Sequence, residues 1–172
     1  MIHLKTPLDK KILGKLKAGD KVLLSGYIYT ARDQAHKRFV DALFKDKKMP
    51  IPLRNEVIYY CGPTPAPKGH IIGSCGPTTS SRMDDFTPAL LRQGIAATIG
   101  KGRRSEKVRL AIKKYKAVYF AAVGGAGAYF AGKVESCKRI AYSDLGPESI
   151  YKLKVRDFPV YVAIDQKGHS IY

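Results

Sequence analysis

Four stretches of this sequence combine residue types that do chemistry. In Arg32-Asp-Gln-Ala-His-Lys-Arg38 an arginine and a histidine stand four apart, which on a helix puts Arg32 and His36 on one face. A guanidinium donates two parallel hydrogen bonds to a carboxylate, and an imidazole exchanges a proton near neutral pH. A solvent-facing basic first turn is the plainer reading. Cations at a helix N-terminus oppose its dipole, however, which argues for a further purpose and for a stripe bordering a cleft. In Gly76-Pro-Thr-Thr-Ser-Ser-Arg-Met-Asp84, four consecutive hydroxyls and an arginine follow a Gly-Pro turn. Backbone N–H groups and hydroxyls in such a loop suit an oxyanion, and the same composition equally suits a loop that caps a helix. A threonine hydroxyl takes a proton only when neighbouring cations and donors hold it alkoxide-like, or it relays one.

In Gly100-Lys-Gly-Arg-Arg-Ser105, Lys101 sits between glycines, on backbone able to approach a ligand closely. The Gly-x4-Gly-Lys-[Ser/Thr] spacing of a P-loop is absent, and a solvated basic turn is the competing reading. Gly124-Gly-Ala-Gly-Ala128 follows a strand-like run, but Phe130 occupies the last glycine position of a dinucleotide fingerprint. The cluster reads as a tight strand-to-helix turn. Cys61, Cys75 and Cys137 form no Cys-x-x-Cys pair and the four histidines show no ligand spacing, so buried apolar thiols are expected and no metal is assigned to this chain.

The elements that must position these groups alternate between strand and helix. Strands are expected at Val22–Tyr29, Val57–Cys61, Ile95–Ile99, Ala117–Val123, Leu153–Val155, Val160–Ile164 and His169–Tyr172. Thr30 to Asp33 resembles a capping box ahead of a helix carrying Ala35, Phe39, Val40, Leu43 and Phe44. Thr87-Pro88 opens a second helix closed by Gly94, and Ser105 caps a third with Val108, Ala111, Ile112 and Tyr115 on its apolar face. The Cys-Gly-Pro-Thr at 61 and again at 75 has unlike flanks and marks no repeat. The reading is one α/β domain over residues 1–172.

Composition bounds the partners. With 172 residues, 45% hydrophobic and 26% charged, the chain is neither disordered nor fibrous. Thirty-one basic residues against 14 acidic ones give +17, which attracts anions: nucleic acid, an acidic partner surface or an anionic substrate. The longest charge-free run, Ala117–Gly132, is short of the ~20 apolar residues of a membrane span and rich in glycine. No membrane association is expected. The odd cysteine count and the unhydrophobic Met1–Lys10 point to reduced thiols in the cytoplasm.

Gly73-Ser-Cys-Gly-Pro-Thr-Thr-Ser-Ser-Arg-Met-Asp84, Thr98-Ile-Gly-Lys-Gly-Arg-Arg-Ser105, Tyr119-Phe-Ala-Ala-Val-Gly-Gly-Ala-Gly127 and Asp157-Phe-Pro-Val160 together resemble the iron–sulfur-dependent (class I) fumarate hydratases. The likeness is to their C-terminal region, or β subunit where the enzyme is split, and runs from Leu8 to Tyr172. It implies a swivelling β/α/β domain with a mixed sheet or barrel-like core flanked by helices. It implies reversible hydration of fumarate to L-malate. The four-iron four-sulfur cluster would be bound by a partner α subunit and not by this chain, in a heterodimer or α2β2 assembly inactive without that partner. By the same resemblance Thr78 matches a proposed catalytic base, Arg82 and Arg32 match substrate-carboxylate clamps, and Lys101 matches a substrate-binding lysine. His36 matches a proposed active-site position of tartrate dehydratase small subunits. Two arginines and a lysine suit a dianionic substrate and the extra charge of an aci-carboxylate intermediate.

L(+)-tartrate dehydratase shares this small-subunit pattern and is the near alternative. The Arg-Arg-Ser105 end and the Thr79-Ser-Ser-Arg82 run look more like fumarases. A basic nucleic-acid-binding module is the remote one; the absence of Trp, and aromatics confined to strand-like runs, argue against it. Docking onto an acidic α subunit is a further use for the positive charge.

Overall fold

The apolar runs of this sequence do not alternate because their strands are covered on both faces, as parallel strands between layers are. The computed structural model describes every residue from Met1 to Tyr172. Its strands are β1 (Ile2–Lys5), β2 (Lys21–Thr30), β3 (Val57–Tyr59), β4 (Ala97–Gly100), β5 (Val118–Ala121), β6 (Val134–Ala141) and β7 (Ile150–Ile164). The helices are α1 (Lys10–Leu13), α2 (Asp33–Phe44), α3 (Thr87–Arg92), α4 (Glu106–Tyr115) and α5 (Gly127–Ala131). Strands β2 to β5 lie parallel, side by side in chain order. β7 runs antiparallel to both β5 and β2, closing a five-stranded barrel-like sheet, and β1 and β6 extend it. This is the mixed, barrel-like α/β core expected of the resemblance.

Side chains then sort by the two-residue period of a strand. Val57, Tyr59, Ile99, Val118 and Phe120 belong to one buried cluster with Leu24, Leu153, Phe158 and Val162, inside the barrel. Their chain neighbours Ile58, Tyr60, Tyr119 and Ala121 belong to a second, under the helices, with Phe39, Leu90, Leu91, Val108 and Ile112. Phe120 and Phe158 are fully buried, and truncating either to Ala costs about 3–5 kcal/mol.

Several local expectations hold and several do not. Ser105 caps α4 by accepting from the Val108 N–H, 3.4 Å away, and Lys116 ends that helix in the left-handed region at φ 56°. Thr30 does not cap α2. It closes β2, and its hydroxyl accepts the Tyr151 N–H at 3.0 Å, leaving Arg32 as the cap residue with no side-chain bond. Thr87 lies inside α3, donating its hydroxyl to the Met83 carbonyl. The two expected strands at Leu153–Val155 and Val160–Ile164 are one. β7 passes through Arg156 to Pro159 across a bulge opposite Leu24 and Gly26. There Gly26 adopts φ 111°, and a Cβ would stand 3.1 Å from the Thr6 carbonyl, so only glycine fits. The expected terminal strand reduces to a single bridge between Ile164 and Ser170. No helix is long and apolar enough to cross a membrane.

Candidate active site

In parallel sheets with helical crossovers, ligands sit beyond the carboxyl ends of the strands. The chain places two of its expected site residues there, Arg32 and Lys101, with two further loops beside them. Arg32 follows β2. Cys61-Gly62-Pro63 follows β3, Lys101 follows β4, and the glycine cluster at 124–127 follows β5.

The hydroxyl run is stitched across these ends as an extra, short strand. The Thr78 N–H donates to the Tyr60 carbonyl at 2.7 Å, the Lys101 N–H donates to the Thr78 carbonyl at 3.3 Å, and the Ser80 N–H donates to the Lys101 carbonyl at 2.9 Å. Thr79 and Lys101 form a parallel bridge. Thr78 and Lys101 are therefore fixed by the same backbone bonds, although 23 positions separate them in the chain. The Lys101 side chain runs along Gly124, its Nζ 3.7 Å from where a Cβ at that position would stand. A side chain there would displace it, which gives the first of the 124–127 glycines a reason beyond turn geometry.

Ser80 to Met83 form a 3-10 turn that lifts Arg82 to the surface, with its side chain 54% exposed. The Arg82 Nε donates to Asp33 Oδ1 at 2.9 Å. Arg32 approaches the other oxygen of the same carboxylate, Nε to Oδ2 3.8 Å, and lies over Gly62, where a Cβ would meet its Cδ at 2.9 Å. Two guanidiniums from distant segments thus flank one carboxylate.

His36 is placed differently from its expected position on a cleft rim. It is fully buried among Tyr60, Phe39 and Phe86, with ring centroids 5.2, 5.9 and 6.1 Å away. Its Nδ1 lies 2.8 Å from the Arg32 carbonyl, to which it donates, so Nε2 carries no proton and has no partner. Burial pushes the imidazole pKa down to about 4, and the Arg104 charge adds to this against the Arg32 hydrogen bond and Asp33. The helix turns its histidine inward because Ala35, His36 and Phe39 are its buried residues.

Arg104 and Asp84, at the ends of the Lys101 and hydroxyl-rich segments, form a buried pair that supports them. The Arg104 side chain has no exposed surface. Its Nε donates to Asp84 Oδ1 at 2.6 Å, and its Nη atoms reach Thr87 Oγ1 at 2.7 Å, Thr98 Oγ1 at 3.3 Å and the Tyr60 hydroxyl at 3.3 Å. Its guanidinium lies over the Tyr60 and Tyr119 rings, 5.2 and 4.9 Å from their centroids. Asp84 Oδ2 accepts the Ser105 N–H at 2.6 Å. The pair ties the turn carrying Arg82 to the loop carrying Lys101. Ser80 adds a second tie by donating to the Tyr119 hydroxyl, which donates to the Gly102 carbonyl. No sequence spacing distinguished Arg104 from its exposed neighbour Arg103.

The cysteines do not make a metal centre. Cys61 and Cys75 are buried with their sulfurs 3.4 Å apart, and Cys137 is half-buried. No group of three His, Cys, Asp or Glu side chains in the chain fits a metal or an iron–sulfur cluster. The hydrogen bond between Cys61 and Cys75, followed by burial, pushes the Cys61 thiol well above its ordinary pKa. A cavity of about 560 Å³ lies between Pro67–Ser74 and α5 and is lined by none of the cations described. Outside that cavity, the Arg82 side chain is 54% exposed and the Arg32 side chain 26% exposed.

The arrangement has relatives. The sequence profile of the family described as Fumarase C-terminus matches residues 1–172. The chain is 34% identical over 175 residues to Fumarate hydratase 2 of Leishmania major, covering 99% of this chain and 31% of that protein. It is 35% identical over 176 residues to the aerobic class I fumarate hydratase of Escherichia coli (strain K12), covering 99% and 32%. It is 39% identical over 171 residues to the putative L(+)-tartrate dehydratase subunit beta of Methanocaldococcus jannaschii, covering 96% and 88%. The chain spans about a third of the length of the fumarate hydratases it matches. With its barrel-like sheet, its hydroxyl run beside Lys101 and a profile match from end to end, this chain belongs to the Fumarase C-terminus family.

Proposed function

We propose that this chain is the β-type portion of a hydro-lyase that reversibly hydrates fumarate to L-malate. The observations that carry the reading are two pairings near the carboxyl ends of parallel strands: Arg32 and Arg82 on Asp33, and Lys101 with the Thr78 backbone. In this reading Arg82 and Arg32 each grip a substrate carboxylate, whose two oxygens match the guanidinium fork. Lys101 adds a third positive charge against the aci-carboxylate that forms when the carbon proton leaves. Thr78 is the group from this chain nearest in kind to a base, and its main chain is fixed on both sides. His36 serves the clamp from beneath, by holding the Arg32 carbonyl, and stays neutral.

The four-iron four-sulfur cluster of class I fumarate hydratases has no ligand set here, and we assign it to a partner α subunit. The open setting of the cations supports a site completed by another unit, in a heterodimer or α2β2 complex. The match to a protein named as a subunit beta, over 88% of that protein, supports a separate partner chain. The same match favours a second reading, the small subunit of an L(+)-tartrate dehydratase, which would use the same clamps on a substrate bearing one more hydroxyl. The odd cysteine count fits a cytoplasmic location.

The test is hydro-lyase activity, hydration of fumarate and dehydration of L-tartrate, by the chain alone and by the chain assembled anaerobically with its α subunit. Activity on fumarate in the complex only is the expected result. Activity on tartrate keeps the clamps and changes the substrate. Thr78→Ala and Arg82→Ala each lower turnover about 10²–10³-fold with assembly intact. Loss of assembly in both variants would make these residues structural and overturn the assignment.

A further inference from the structure

We propose that Asp33 is a positioning residue that holds the two clamp arginines in register for a dicarboxylate, an inference resting on the reading of Arg32 and Arg82 as those clamps. Each arginine presents its Nε edge to Asp33, Arg82 at 2.9 Å to Oδ1 and Arg32 at 3.8 Å to Oδ2. The Nη atoms of both are left free of partners within the chain, so the bidentate ends of the two forks remain available. The 3.8 Å contact is incomplete. The Arg32 Nε and the Asp33 Oδ2 are both buried, and neither has a hydrogen-bond partner. Such a pair of unsatisfied atoms closes on a small movement of Arg32 toward the carboxylate, and a bound carboxylate pulling on the Nη end supplies one.

Charge points the same way. Arg32, Arg82 and Lys101 carry three positive charges and Asp33 one negative charge. The net of two equals the charge of a C4-dicarboxylate. Without Asp33 the two guanidiniums would repel, with nothing fixing the angle between their forks. Asp33 is suited to this because it begins α2: its backbone is helical and fixed, its carboxylate favours the helix N-terminus, and its side chain is only 24% exposed. A monocarboxylate needs one fork and a dicarboxylate needs both, so the function of Asp33 is selectivity for two carboxylates over one.

The experiment uses the full chain assembled with its partner subunit, titrated calorimetrically with succinate and with propionate, alongside steady-state hydration. Asp33→Asn keeps the shape and one acceptor and removes the charge; Asp33→Glu restores the charge one methylene further out. Asp33→Asn is expected to weaken succinate about tenfold or more and propionate by less than about threefold. It raises KM more than it lowers kcat, and Asp33→Glu recovers part of the loss. Equal weakening of both ligands, unchanged binding, or tighter binding of both overturns the proposal, the last because Asp33 would then act only as an unfavourable charge. A wild-type complex that binds succinate and hydrates no C4-dicarboxylate refutes the proposed reaction and leaves the Asp33 comparison standing. A wild-type complex that binds no succinate refutes the clamps and Asp33 together.

Discussion

Removing the Asp84 carboxylate strands a cation with no exposed surface. In Asp84→Ala the Arg104 guanidinium keeps Thr87, Thr98 and Tyr60 as acceptors and loses its only counter-charge, 2.6 Å away. Breaking a buried pair from one side costs about 3–5 kcal/mol. In a chain of this size each kcal/mol lowers Tm by about 2–4 °C, so the midpoint falls by about 6–20 °C. Arg104→Met costs less, because Asp84 is 11% exposed and retains the Ser105 N–H at 2.6 Å. Replacing both, as Arg104→Met with Asp84→Ala, removes the stranded charge, and the double variant is more stable than the sum of the singles predicts by about 1–3 kcal/mol. Urea unfolding of the four proteins at neutral pH measures the cycle. A cost below about 1 kcal/mol for Asp84→Ala, or strict additivity in the cycle, would refute the view of this pair as the tie between the Arg82 turn and the Lys101 loop.

Three other outcomes follow from the geometry. His36 sits near pKa about 4 against an ordinary 6.5. Its contribution to stability is complete above the unfolded pKa and is lost as pH falls from 6.5 toward 4, by about 3 kcal/mol; His36→Gln flattens that slope in urea midpoints taken across the range, and parallel slopes would rule the histidine out as its source. Gly100→Ala drives a Cβ into the Ser80 hydroxyl and to 2.8 Å from the Tyr60 ring, so it costs about 1–3 kcal/mol or more, seen as a lower Tm, while Gly102→Ala, which meets no atom, loses only the ~1 kcal/mol of its positive φ. Under native conditions iodoacetamide labels Cys137, half-buried with a pKa pushed up by burial to about 11, before Cys61 and Cys75; mass spectrometry showing a buried thiol modified first would contradict the packing.

Much of this molecule was readable from residue order alone. The parallel strands announced themselves as apolar runs because both their faces are covered, and α4 announced itself through Ser105 and its i, i+3, i+4 pattern. β6 was missed because Glu135, Lys138 and Arg139 interrupt any apolar alternation along it and look like loop. β7 was split in two because Asp157 and Pro159 normally end strands, and only the opposing bulge at Gly26 lets the pairing continue. At the site, the loops bearing Thr78, Arg82 and Lys101 were singled out by composition, while their roles came from the family likeness. Spacing within each segment said nothing of what joins them. Asp33 was seen as a helix-start residue and Arg104 as one of two equivalent arginines, because contacts over 49 and 20 positions of chain leave no local mark. His36 was expected beside Arg32 on the helix surface, whereas one step around the helix axis separates an exposed stripe from the core.

The closing strand has a consequence for how the molecule is made. Strands β2 to β5 can assemble in the order of synthesis, yet until residues 150–164 emerge both β2 and β5 present bare edges of unpaired N–H and C=O groups. Lys21 must wait for Tyr161 and Tyr119 for Ile164. The equilibrium penalty of so long a loop is small, about 2 kcal/mol more than for one ten times shorter. The delay is kinetic: non-local pairings form late, and an unpaired edge is a template for another chain. A nascent chain stalled before β7 is thus a sticky half-barrel, and the speed with which residues 150–164 are delivered sets how long that hazard lasts.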